Sequence, residues 1–104
     1  MASRAEQWDG FVEHVQLAPA ALSIDTRRSI FKAASGGDAS ALPDELARFV
    51  DTVARHAYRV TDKQVDCLTE SRTQDEVFEA TVVAAVGAAD RRLRAALRAM
   101  GERA

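Results

Sequence analysis

The chain has few of the residues from which most catalytic and metal sites are built. Its single cysteine, Cys67, cannot form an internal disulfide, which favours a reducing compartment, the cytoplasm. Two histidines, His14 and His56, show no metal-ligand spacing with that cysteine. No glycine-rich phosphate loop and no Ser-His-Asp elbow is present either. We therefore expect neither a metal nor a cofactor.

An excess of charge of one sign is also lacking. Fourteen basic and sixteen acidic side chains give a formal net charge of -2, which offers no footprint for nucleic acid or an anionic membrane. The first ten residues, MASRAEQWDG, contain no apolar signal-peptide core. The charge-free run Ala80–Ala89 is ten residues long, whereas a membrane span needs roughly twenty. We expect no nucleic-acid or membrane partner.

What the sequence does contain is helical periodicity, without the alternation typical of strands. The clearest pattern lies after Pro43, where apolar residues recur every three or four positions from Leu46 to Ala57. The sequence predicts one all-α domain over residues 1–104, with N-terminal helices and a loop in 1–40. Its helices are expected at Ser3 to about Gln16, about Asp25 to Ser35, from Pro43, Thr61–Glu70, and from Thr73 to about Met100.

Two capping boxes mark the last two helix starts. Thr61 is followed by Gln64, and Thr73 by Glu76, each at the spacing that lets side chain and backbone cap each other reciprocally. Pro43 is expected at the first position of its helix. These signals predict a compact helical bundle with a long, alanine-rich C-terminal helix.

The charge-free run lies inside that last helix. A helix that is apolar on every side must be surrounded by protein, and a chain of 104 residues has few helices for this purpose. A second subunit would supply the missing walls. We therefore expect a homo-oligomer whose interface includes six residues of this helix, namely Val82, Ala84, Val86, Ala88, Leu93 and Leu97.

Three residues are candidates for catalysis. His56, near Tyr58 in the sequence, would be a general acid or base at a pocket edge, or else a half-buried histidine at the core boundary. Cys67 lies one helical turn after Lys63, which would favour the thiolate, although Asp66 opposes this effect. Without a second cysteine nearby, an incidental thiol is the alternative.

A DNA-reading helix-turn-helix is disfavoured, although the spacing of Thr61–Glu70 and the last helix would permit one. The would-be recognition helix begins with Asp75, Glu76 and Glu79, which would repel phosphate. The arginines between Arg91 and Arg98 would dock an acidic partner or form a solvated face.

The segment from Leu42 to Met100 resembles the C-terminal helical half of the carboxymuconolactone decarboxylase and AhpD-like superfamily. The residues that carry this resemblance are LPDELARFVDTVARHAYRVTDKQVDCL, followed after a turn by SRTQDEVFEATVVAAVGAADRRLRAAL. The resemblance implies an all-helical fold, with residues 41–104 as its family-like core, and assembly into dimers, trimers or hexamers.

The same resemblance argues against peroxidase activity. AhpD-type members have a Glu-x-x-Cys-x-x-Cys-x-x-x-His segment on the preceding helix, whereas Asp25–Ser35 here contains neither cysteine nor histidine. Cys67 lies on a different helix and does not take over that role. Residues used by the decarboxylase members cannot be mapped onto this chain.

These observations favour a non-catalytic accessory or scaffold protein that forms a homo-oligomer and binds an enzyme partner or a small apolar ligand. One alternative is a decarboxylase-like enzyme that uses His56, with Tyr58, at a subunit-interface pocket. The other is a thiol redox protein that uses Cys67.

Ala84→Glu tests the expected burial of the charge-free run. The variant should dissociate or unfold, because it places an unpaired charge among packed helices. Size-exclusion chromatography and circular dichroism measure the two effects. Normal assembly of this variant would contradict the burial of the run.

Overall fold

Five α-helices make up the computed structural model, which describes residues 2–101. The structure confirms the predicted all-α class, and no strand occurs in this part of the chain. A 3-10 turn at Ala57–Arg59 joins the third helix to the fourth. The helices are α1 (Arg4–Leu17), α2 (Ile24–Ala34), α3 (Asp44–His56), α4 (Asp62–Thr69) and α5 (Gln74–Ala99).

Local capping signals set the helix ends much as predicted. Both capping boxes are formed: Thr61 with Gln64 at the start of α4, and Thr73 with Glu76 at the start of α5. The predicted position of Pro43 is wrong by one residue, because Pro43 precedes α3 as its N-cap and does not occupy the first helical position. Its helix begins at Asp44, whose acidic side chain suits the positive end of the helix dipole.

Helix α2 ends in a Schellman motif. The Gly37 N–H donates to the Lys32 carbonyl at 2.8 Å, and the Gly36 N–H donates to the Ala33 carbonyl at 3.3 Å. Gly36 has a φ of 101°, a left-handed conformation that favours glycine. The chain can therefore leave α2 and turn toward α3.

Helix α5 is the centre of the bundle, and the other four helices all pack against it. It is closest to α2, where Gly87 faces Ala34 and the Phe31 carbonyl. A Cβ atom at Gly87 would lie 2.8 Å from the Ala34 Cβ and 3.1 Å from the Phe31 oxygen. No room exists there for even a methyl group. Although α5 has 26 residues, no helix within residues 2–101 is long and apolar enough to cross a bilayer.

The charge-free run is surrounded mainly by helices of its own chain. The expectation that a second subunit is needed to surround this run is therefore corrected. Of its ten residues only Ala85 is exposed, and Ala84 has an exposed fraction of 0%. Val86 and Ala88 are also buried within a single copy. Ala84→Glu is thus expected to unfold the chain before it affects any assembly.

Gly87→Ala and Gly10→Ala form a matched pair that tests the close approach of α2 and α5. Gly87→Ala should lower the free energy of unfolding by about 1–3 kcal/mol, because the added methyl overpacks the contact with Ala34. Gly10 lies in α1 with open space around it, so Gly10→Ala should raise stability by about 0.5–1 kcal/mol.

Urea denaturation of both variants measures the difference. Equal effects at the two positions would show that α2 and α5 are not in close contact at Gly87.

Candidate functional site

The residues predicted for acid–base catalysis lie on the surface. His56 is exposed, as is Tyr58, and their rings meet edge to face with centroids 6.0 Å apart. The Arg59 guanidinium lies over the Tyr58 ring at 5.6 Å. Neither His56 nor Tyr58 lines any of the cavities described below. His56 is therefore exposed in a single chain, which corrects the half-buried boundary position, whereas a pocket formed with a second subunit stays a prediction.

Cys67 lies in a shallow groove between α3 and α4. The groove has a volume of about 210 Å³, and its lining includes Lys63, Arg48 and Glu45 as well as the exposed thiol. The pKa of Glu45 is lowered, first by a hydrogen bond from its own backbone N–H and then by one from Arg72. The thiol thus has two cations and one ionised carboxylate as neighbours in the groove.

A second, more apolar cavity lies between the end of α1, the connector that follows it, α2 and α5. We call it the Arg27 cavity, and its volume is about 190 Å³. Most of its walls are apolar, and the polar exceptions are His14, Arg27 and Glu79. The apolar lining residues are Val15, Ala18, Ala20, Phe78, Val82 and Val83.

Arg27 is the most unusual residue of this cavity. Its exposed fraction is only 3%, yet its Nε atom has no hydrogen-bond partner. One terminal nitrogen of the guanidinium donates to the Val15 carbonyl at 3.2 Å. Helix α2 thus carries a buried, incompletely satisfied cation into an apolar environment.

Glu79 has a structural task in the same cavity. Its two carboxylate oxygens accept hydrogen bonds from the backbone N–H groups of Ala21, at 3.0 Å, and Leu22, at 2.8 Å. These bonds tie the connector between α1 and α2 to α5. The connector in turn supplies Ala18 and Ala20 to the cavity wall.

Helix α1 is held against α5 by a second polar cluster. The Trp8 Nε1–H donates to Asp90 Oδ1 at 2.9 Å, and Arg94 Nε donates to Asp90 Oδ2 at 3.0 Å. Asp90 is buried, and its hydrogen bond and charge raise the pKa of Arg94. Since α1 buries none of its own residues completely, this cluster is an important part of its attachment.

The helical periodicity of the sequence contained a signal for Arg27, although the burial of this residue was not predicted. Arg27 occupies the first position of an i, i+3, i+4, i+7 pattern that continues with Ile30, Phe31 and Ala34. An arginine in line with an apolar helix face can be buried together with it, as Arg27 is. Glu79 and Asp90 gave no comparable signal, because acidic residues near a helix start or beside arginines have ordinary local explanations.

Comparison of the chain with protein-family models, curated proteins and solved structures found no match. Within residues 2–101, no group of three or more His, Cys, Asp or Glu side chains could hold a metal ion.

Glu79→Ala tests whether this carboxylate fixes the connector that forms the cavity wall. The variant should lose about 1–3 kcal/mol of unfolding free energy, because two backbone N–H groups lose their acceptor. Hydrogen exchange at Ala21 and Leu22 should become faster.

Glu70→Ala is the control. Glu70 is exposed, and its side chain makes no hydrogen bond within the described part of the chain, so stability should change by less than about 0.5 kcal/mol. Unchanged exchange at Ala21 and Leu22 in Glu79→Ala would show that the connector is held by other contacts.

Proposed function

We propose that this protein is a non-catalytic accessory or scaffold protein that assembles with a second copy of itself through the outer side of α5. The observation that carries the proposal is an apolar stripe on the side of α5 that faces away from the core. Phe78, Leu93 and Met100 have exposed fractions of 69%, 40% and 70%. We define the outer stripe as Phe78, Val82, Ala85, Ala89, Leu93, Ala96 and Met100.

The spacing of the outer stripe favours a helical partner. Its members recur every three or four residues, so they form one continuous face from Phe78 in the second turn of α5 to its C-cap residue Met100. Such a contiguous apolar face on the surface is typical of a protein–protein interaction site. At a rise of 1.5 Å per residue, the stretch from Phe78 to Met100 forms a face about 33 Å long.

Charge complementarity supports a second copy as the occupant. Asp75, at the acidic start of α5, and Arg92, near its basic end, are both exposed and border the outer stripe. An antiparallel second copy would bring each acidic end close to a basic end. The two helix dipoles would then be antiparallel, which is favourable because the positive end of each lies near the negative end of the other. A two-fold arrangement uses the same face on both partners, as in most closed dimers.

The large exposed surface area of the chain also supports a second copy as the partner. The chain exposes 6905 Å², whereas a folded monomer of its 11.3 kDa exposes about 5,700 Å². Its longest dimension is 44 Å, against 28 and 23 Å for the other two. A partner along α5 would cover part of this excess.

Burial changes which residues are proposed for the interface. Val82 and Leu93, both expected there from the sequence, belong to the outer stripe, and Leu97 is half-buried. Ala84, Val86 and Ala88 instead face the interior of a single copy. Phe78, Ala85 and the other members of the stripe take their place.

The positions of the catalytic candidates support the non-catalytic part of the proposal. His56 and Tyr58 are exposed and line no cavity described above, and Cys67 has no second cysteine. The decarboxylase-like and redox alternatives were expected to use these residues. If His56→Ala or Cys67→Ser abolished an enzymatic activity of the protein and left its assembly intact, the accessory function would be contradicted in favour of one of those activities.

Leu93→Lys and Ile24→Lys test the outer stripe as a matched pair. The exposed fractions are close, 40% for Leu93 and 42% for Ile24, but Ile24 lies on α2, away from the stripe. Leu93→Lys should weaken self-association by about tenfold or more, because the lysine places a charge in an apolar contact. Sedimentation velocity at several concentrations measures the effect.

Ile24→Lys should leave self-association unchanged. Equal weakening by both variants, or none by Leu93→Lys, would contradict an interface on the outer stripe.

A further inference from the structure

The Arg27 cavity contains a cation that forms no ion pair within 4 Å in residues 2–101. Within residues 2–101, the ion pairs shorter than 4 Å involve Arg55, Arg72 and Arg94, and none involves Arg27. Glu79, the carboxylate that lines the same cavity, directs both oxygens to the backbone of the connector. A buried charge without a partner is strongly unfavourable, so its presence calls for an explanation.

The guanidinium also retains unused hydrogen-bonding capacity. Arginine has five N–H donors, and the Val15 carbonyl accepts one of them. Nε is buried and donates to no atom of the protein. A carboxylate is the group that best matches adjacent guanidinium N–H donors, because its two oxygens can accept two parallel bonds.

The rest of the cavity suits an apolar body. Val15, Phe78, Val82 and Val83 lie along its walls, and its volume is about 190 Å³. A cavity of about 150 Å³ in another protein accommodates benzene, so this space is large enough for one aromatic ring or a short alkyl chain. Few well-placed polar groups within apolar walls are typical of small-molecule sites.

We propose that the Arg27 cavity binds a small monocarboxylate with an apolar body, either aromatic or short-chain aliphatic. The carboxylate accepts hydrogen bonds from the Arg27 guanidinium, and the apolar body packs against Phe78, Val82 and Val83. The bound anion compensates the buried charge, and the apolar contacts supply the remaining affinity. The cavity is formed within one copy of the chain, but Phe78 and Val82 also belong to the outer stripe, so ligand binding is measured in the Leu93→Lys variant as well as in the unaltered chain.

Benzoate and pentanoate are the probes, with benzyl alcohol and acetate as controls that lack the charge or the apolar body. Isothermal titration calorimetry should show one saturable site per chain for benzoate or pentanoate. Both controls should bind about tenfold more weakly or worse. In a ¹H–¹⁵N spectrum, the Arg27 Nε–H signal should shift on addition of the probe that binds. No saturable binding of either probe, or equal binding of benzyl alcohol and benzoate, would overturn the proposal.

Arg27→Met and Arg28→Met separate the buried arginine from its exposed neighbour on α2. Arg27→Met should lower the affinity for the carboxylate by about tenfold or more, because it removes the charged donor. Arg28→Met should leave the affinity unchanged, since Arg28 is exposed and does not line this cavity. Unchanged affinity in a folded Arg27→Met protein would overturn the proposal.

Ala18→Leu provides a second test if Arg27→Met does not fold. The larger side chain fills space in the cavity from the connector and leaves Arg27 in place, so binding should be lost. Retained affinity in this variant would contradict the assigned site. Leu93→Lys should still bind the carboxylate although its self-association is weakened. This variant therefore distinguishes a failure of the proposed self-association from a failure of the proposed ligand binding.

Discussion

The close approach of α2 and α5 at Gly87 is the contact on which the rest of the bundle depends. Because Gly87 has no side chain, Ala34 and the Phe31 backbone can reach the axis of α5. Ile30 is then fully buried, and Arg27, one turn earlier on the same face, is drawn into the interior with it. The same packing that stabilises the fold therefore places a cation beside the cavity.

Local features of the fold could be predicted because their causes lie within a few residues of each other. Each capping box joins residues three positions apart, and the apolar pattern of α3 repeats within single turns of the helix. The limits of the charge-free run were also readable. Its surroundings were not, because the burial of Ala84 and Ala88 depends on α2 and α3, which lie far away in the sequence.

The polar contacts near the candidate site escaped prediction for the same reason. Trp8 bonds to Asp90 across 82 positions, and Glu79 bonds to Leu22 across 57. The sequence does not show which residue is the partner of Trp8 or Glu79, because many pairings of polar residues are compatible with five helices. The burial of Arg27 was not predicted either, although its position in line with the apolar face of α2 can be read from the sequence.

Helix α5 thus has two different sides. Its inner side packs against the other helices with small residues, and its outer stripe is an apolar surface with an acidic start and a basic end nearby. The central claim is that this outer side is covered by a second copy. Sedimentation equilibrium of the unaltered chain over the micromolar range tests it most directly. The account predicts a mass that approaches twice 11.3 kDa as concentration rises. A mass that stays at 11.3 kDa throughout would contradict it.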